Sequence, residues 1–121
     1  MTGALAELTR VLLMLPQVEL ARRAEGPAPL VNRFRVLGRR RRTRSVAERK
    51  RLQRVIARVD ACLPDRGNCY RRALLEIALD AGAAAEPFHM GLKASCAPLS
   101  GHAWVGTQAT GESAYDAIIA L

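Results

Sequence analysis

Gly67-Asn68-Cys69-Tyr70-Arg71-Arg72-Ala73-Leu74-Leu75 decides how this chain is read, because it joins a turn, a helix start and a thiol in one short stretch. Pro64, Asp65, Arg66, Gly67 and Asn68 have turn chemistry, and after them Tyr70, Ala73, Leu74, Ile77 and Ala81 recur at helical spacing. The spacing predicts a helix that begins at Cys69, with Asn68 accepting hydrogen bonds from the first free amides and Gly82 as the C-terminal cap. A thiol at a helix start is placed where free amides and the helix dipole favour its anion, the form in which sulfur is a nucleophile.

Working outward, Leu5, Leu8, Leu12 and Leu15 fall on one stripe and predict a first helix over residues 4 to about 15, stopped by Pro16. Gly26, Pro27 and Pro29, and the arginine run 39–42 after Gly38, read as connectors. Ser45 and Glu48 have capping-box spacing, and Leu52, Val55, Ile56 and Val59 predict a second helix ending near Cys62. Beyond the cysteine helix the period drops to two. Phe88, Met90 and Leu92 alternate with His89, Gly91 and Lys93, as in a half-buried strand. Residues 94–101 read as a loop, 102–105 as a second strand and 113–119 as a third. The expected fold class is α+β, with the cysteine-bearing helix packed on a small antiparallel sheet. The chain is read as a single domain, 1–121, in which a mainly helical portion (1–62) precedes a catalytic core (63–121).

A chain of 121 residues, half of them apolar, suffices for one modest core. No run approaches the roughly 20 apolar residues of a membrane helix. Glu7 is the first charge and the apolar run 11–15 is brief, unlike a secretory signal, so a cytoplasmic location is expected. Cys62, Cys69 and Cys96 are odd in number and lack paired metal-ligand spacing, so no disulfide framework, metal or cofactor is expected. The formal charge of +8 is local: residues 33–58 hold twelve of the nineteen Lys and Arg residues and one acid, Glu48. That segment reads as a solvated cationic face, as a dock for an acidic peptide or protein, or as a nucleic-acid contact. The last is disfavoured because the segment holds a single aromatic, Phe34.

A thiol nucleophile needs a base, and the chain has two histidines, His89 and His102. His102 is the better candidate; His89 alternates with the apolar positions of its strand and has no evident carboxylate partner. If the two last strands form a hairpin closed at Thr107 and Gly111, Val105 pairs with Ser113 and His102 with Asp116. That register prefers Asp116 over Glu112 and Glu86 as the acid that orients the imidazole. The backbone amides of Cys69 or Tyr70 are the candidate oxyanion donors. Each residue also has a structural reading: a small semi-buried Cys, a His beside core Trp104, a solvated Asp. Their joint order is what points to chemistry.

The segments 67–75, Phe88-His89-Met90-Gly91-Leu92 and Gly101-His102-Ala103-Trp104-Val105 resemble motifs of the transglutaminase-like superfamily and, more narrowly, of lasso-peptide leader peptidases. The resemblance implies a papain-like fold and a Cys69-His102-Asp116 cysteine peptidase. Such an enzyme would cut the leader from a ribosomally made precursor peptide before a separate ring-closing enzyme acts. With residues 117–121 alone following Asp116, precursor recognition is expected in a separate partner protein. Two rivals stay open: the same triad passing its acyl group to an amine, and a non-catalytic module that binds through its arginine face.

Overall fold

The computed structural model describes residues 3–93, 100–106 and 117–121. Helix α1, Gly3–Ala24, runs through Pro16 and well beyond the predicted stop. Proline removes one amide from the ladder, but Leu12 and Pro16 are both exposed, so water can reach the carbonyl that loses its partner. The leucine stripe is also corrected. Val11, Met14, Val18 and Ala21 are buried, whereas Leu5 and Leu12 are 53% and 51% exposed. Both faces of α1 are apolar, and spacing alone cannot rank two stripes.

Helix α2, Pro27–Arg39, occupies a stretch that reads as a connector in the sequence. Gly26 and Pro27 begin a helix rather than interrupt one, since proline at the first helical position loses no hydrogen bond. Leu30, Val31 and Phe34 carry the buried face. Gly38 closes it: a Cβ there would lie 1.8 Å from the Ile77 carbonyl oxygen and 2.9 Å from the Ala84 Cβ. Gly38→Ala is therefore expected to push α2 away from its neighbours and cost about 3 kcal/mol in urea unfolding. An unchanged midpoint would show that the helices can separate freely.

Helix α3, Val46–Ala61, has the predicted capping box: Ser45 Oγ accepts from the Glu48 amide at 3.2 Å and Glu48 Oε1 from the Ser45 amide at 3.1 Å. Leu52, Ile56 and Val59 face inward. Helix α4, Cys69–Leu79, starts where predicted but ends before Gly82. Asp80 leaves helical geometry and caps a short second helix, α5, Ala81–Ala84, accepting from the Gly82 and Ala83 amides. Helix α4 is the hub of the molecule: α1, α2, α3 and α5 all pack against it.

Strands β1 (Phe88–Lys93), β2 (Ser100–Val105) and β3 (Ala117–Ala120) form an antiparallel sheet in the order β2-β1-β3. The core-facing alternation of β1 holds at Phe88, which is fully buried. The predicted hairpin does not. In the described residues β3 pairs with β1, as in Met90↔Ile119 and Leu92↔Ala117, and β1 separates it from β2. Consecutive strands are neighbours often but not always, and β1 here offers both edges. Its start is fixed on both sides: Phe88 and Leu121 exchange backbone hydrogen bonds of 3.0 and 2.7 Å, and the Gly106 amide donates to Pro87 O at 3.0 Å. Of the predicted loop 94–101, Ser100 and Gly101 belong to β2, while residues 94–99, the turn at Thr107 and Gly111, and Ser113 lie outside the described residues. Among the described residues no helix is long and apolar enough to cross a membrane.

Candidate active site

The start of α4 is held by two devices. Asn68 Oδ1 accepts from the Arg71 amide at 3.0 Å, which places Cys69 at the first helical position. Beneath it, Arg71 is fully buried in a carboxylate nest. Its Nε lies 3.1 Å from Asp60 Oδ1 and its Nη1 2.6 Å from Asp65 Oδ1 and 3.3 Å from Glu19 Oε1; Nη2 also donates to Asp60. Asp60 Oδ2 in turn accepts from the Gly67 amide at 2.7 Å. Gly67 has φ of +81°, a conformation glycine adopts without Cβ strain, and so the turn delivers the chain to the helix start. Burial disfavours the Arg71 charge, but Asp65 and Asp60 outweigh it and hold the guanidinium protonated. Neither Arg71 nor its acids stand out in the sequence; the spacing of Asp60, Asp65 and Arg71 around one turn was the available signal.

The hydrogen bond from Arg71 holds the Asp65 carboxyl at about 2, below its ordinary 3.8. A depressed acid stabilises the fold above its unfolded value and loses that contribution as pH falls through its folded value. Thermal stability should therefore drop as pH falls from about 3.8 to about 2, and Asp65→Asn should flatten that part of the curve in circular-dichroism melts. An identical acid profile in the variant would remove Asp65 as a cause. A second acid, Glu7, is buried against Arg44. Burial raises its carboxyl, but Arg44 and Arg10 together bring it below its ordinary value.

Cys69 opens into a cleft of about 240 Å³ between α3, α4 and β2, lined also by Gln53, Arg72, Glu76, Trp104 and Val105. The Ala103 amide donates to the Cys69 sulfur at 3.2 Å. Strand β2 has β1 on one side, so an amide on its other side is free to meet the helix. Among the described residues the amides of Cys69 and Tyr70 donate to no protein acceptor, as expected of the first turn of a helix. The Tyr70 ring meets Phe88 edge-on at 6.0 Å, and burial pushes its hydroxyl pKa up against the opposing charge of Arg22.

His102 stands in β2 with Gly91 as its register partner, and the next residue, Ala103, is the one that contacts the thiol. The backbone therefore places residue 102 next to the strand residue that meets the thiol. His89 takes a structural place: it pairs with Trp104 across β1 and β2, and the two rings stack with centroids 5.3 Å apart. Asp116 and Glu112 lie outside the described residues, as does Cys96. Because β1 lies between β2 and β3, the cross-strand register no longer supports Asp116, whose assignment rests on the motif resemblance alone. Cys62 and Cys69 are free thiols. The basic segment is partly structural: Arg44 is buried on Glu7, and Arg49 binds Glu76 at 2.8 Å and also Glu86.

A thiol at a capped helix start, against a strand that carries histidine, is the arrangement in which comparison with known families becomes informative. The family model described as the transglutaminase-like superfamily matches residues 12–116. The chain belongs to the transglutaminase-like superfamily. The matched span contains Cys69, His102 and Asp116 and extends back into α1, so the helical N-terminal part belongs to the superfamily match. Comparison with curated proteins and with solved structures gives no match. Membership in this superfamily is compatible with cysteine peptidase or acyltransferase chemistry.

Proposed function

We propose that this protein is a cysteine peptidase that removes the leader from a ribosomally made precursor peptide, in the manner of lasso-peptide leader peptidases. The observation that carries the reading is the position of Cys69: first residue of α4, open to a cleft, and touched by the amide next to His102. In this mechanism His102 takes the thiol proton and Cys69 attacks the peptide carbonyl. The oxyanion that forms is received by the amides of Cys69 and Tyr70. His102 then protonates the leaving amine, and water activated by His102 hydrolyses the acyl-enzyme. Asp116 orients the imidazole. The superfamily match and the three motif segments support the assignment. Precursor recognition is assigned to a separate protein and ring closure to another enzyme, with the chain acting in the cytoplasm.

The test is incubation of the candidate precursor with its recognition protein and this chain, followed by mass spectrometry. Two fragments whose masses sum to the precursor plus one water, absent with Cys69→Ala, are expected. A product carrying an added amine would move the assignment to acyl transfer, the alternative the superfamily also admits. Equal cleavage by the alanine variant would sink the nucleophile assignment.

A further inference from the structure

Arg72 and Ala73 lie three and four residues after Cys69 on α4, Glu76 lies four after Arg72, and all four line the cleft. Arg72 and Glu76 are four apart, the spacing of a helical ion pair. They do not form one. Glu76 Oε1 instead accepts from Arg49 Nε at 2.8 Å and from Gln53 Nε2 at 2.9 Å, both on α3. An arginine N-terminal to its acid is also the weaker orientation of such a pair. Among the described residues Arg72 has no ion pair, although it is only half exposed to solvent and sits one turn from the thiol. The other charged side chain lining this cleft, Glu76, is therefore engaged with α3, while the Arg72 guanidinium borders the space where a substrate must lie.

We propose that Arg72 forms a carboxylate subsite and selects substrates with an acidic side chain close to the carbonyl that Cys69 attacks. This rests on the peptidase reading and names its substrate class, an acidic peptide. Side chains three apart on a helix have Cβ atoms about 5–6 Å apart. An extended substrate advances roughly 3.3–3.6 Å per residue, so the reach of arginine covers one or two residues beside the scissile bond. Guanidinium and carboxylate meet in a two-pronged geometry that lysine cannot reproduce, and a partly enclosed cleft strengthens the pair relative to open water. Glu76 is already held by Arg49 and Gln53 of α3 through Oε1.

The experiment uses two thiol reagents that differ in charge. Iodoacetate and iodoacetamide both lose iodide to the thiolate and leave a thioether, but iodoacetate alone carries a carboxylate. Rates at each cysteine of the intact chain are read by peptide mapping, with the exposed Cys62 as control within the same molecule. The iodoacetate-to-iodoacetamide rate ratio at Cys69, normalised to Cys62, should fall about tenfold in Arg72→Gln, a size set by one nearby charge at the dielectric of a protein surface. It should fall further in Arg72→Glu and be partly restored in Arg72→Lys. The same ratio in wild type, Gln and Glu variants overturns the subsite. Failure of Cys69 to react with either reagent overturns it as well, since the thiol would then not share an open cleft with Arg72. The peptidase reading fails separately: cleavage that persists in Cys69→Ala removes it even where the charge preference holds.

Discussion

Cys69→Ala is expected to lower the rate of peptide cleavage by at least about 10³-fold, the loss typical when a covalent nucleophile is removed and binding is left in place. The fold should survive the change. Alanine is the best helix former, and Cys69 lies at the first turn, where its sulfur is partly exposed. What the variant loses is the acceptor for the Ala103 amide, a contact worth about 1 kcal/mol. Rate and stability measured on the same preparation separate the two effects. A variant that retains activity, or one that loses it only because it unfolds, would contradict the role given to the thiol.

Arg71→Met should produce the largest loss of stability, about 3–5 kcal/mol, because it leaves Asp60 buried without its cation. Asp60 is 3% exposed and, among the described residues, its side chain keeps only the Gly67 amide once the guanidinium is gone. Asp65 and Glu19 are more exposed and can turn to water or to Arg22, which already lies 3.1 and 2.9 Å from them. Most of the cost therefore comes from Asp60. Combining Arg71→Met with Asp60→Asn should cost clearly less than the sum of the single changes, since the second substitution removes the stranded charge. Urea unfolding of the four proteins measures this; strict additivity would show that the pair is not coupled.

How far the sequence leads depends on which interaction decides a given element. The α4 start was legible because Asn68 and Cys69 act locally, within one turn of helix, and the same is true of the Ser45-Glu48 capping box. The existence of strand β1 was legible for the same reason. Helix α2 was hidden because Gly26, Pro27 and Pro29 serve as both helix starters and helix breakers, and only packing on Ile77 explains the small residue at Gly38. The leucines of α1 misled because the helix carries two apolar faces, and the one with fewer leucines is buried. The sheet order turns on which edge of β1 each later strand finds, a long-range choice with no local signature. In the site, the helix-start position of Cys69 and the strand position of His102 could be read directly. That Arg72 has no ion pair among the described residues could not, since Glu76, four residues on, binds α3 instead.

The nest around Arg71 also bears on the order in which the working protein comes into being. Its carboxylates come from Glu19 in α1, Asp60 in α3 and Asp65 in the turn, so sequence separations reach 52 residues. Contacts of that range form only after the intervening chain has been made and closed. A nascent or partly folded chain can begin α4 as a transient turn, but it cannot fix that helix end against β2. The Cys69 sulfur thus acquires the surroundings described above only once α1, α3 and the sheet have come together, and an unfinished chain carries the thiol without its cleft.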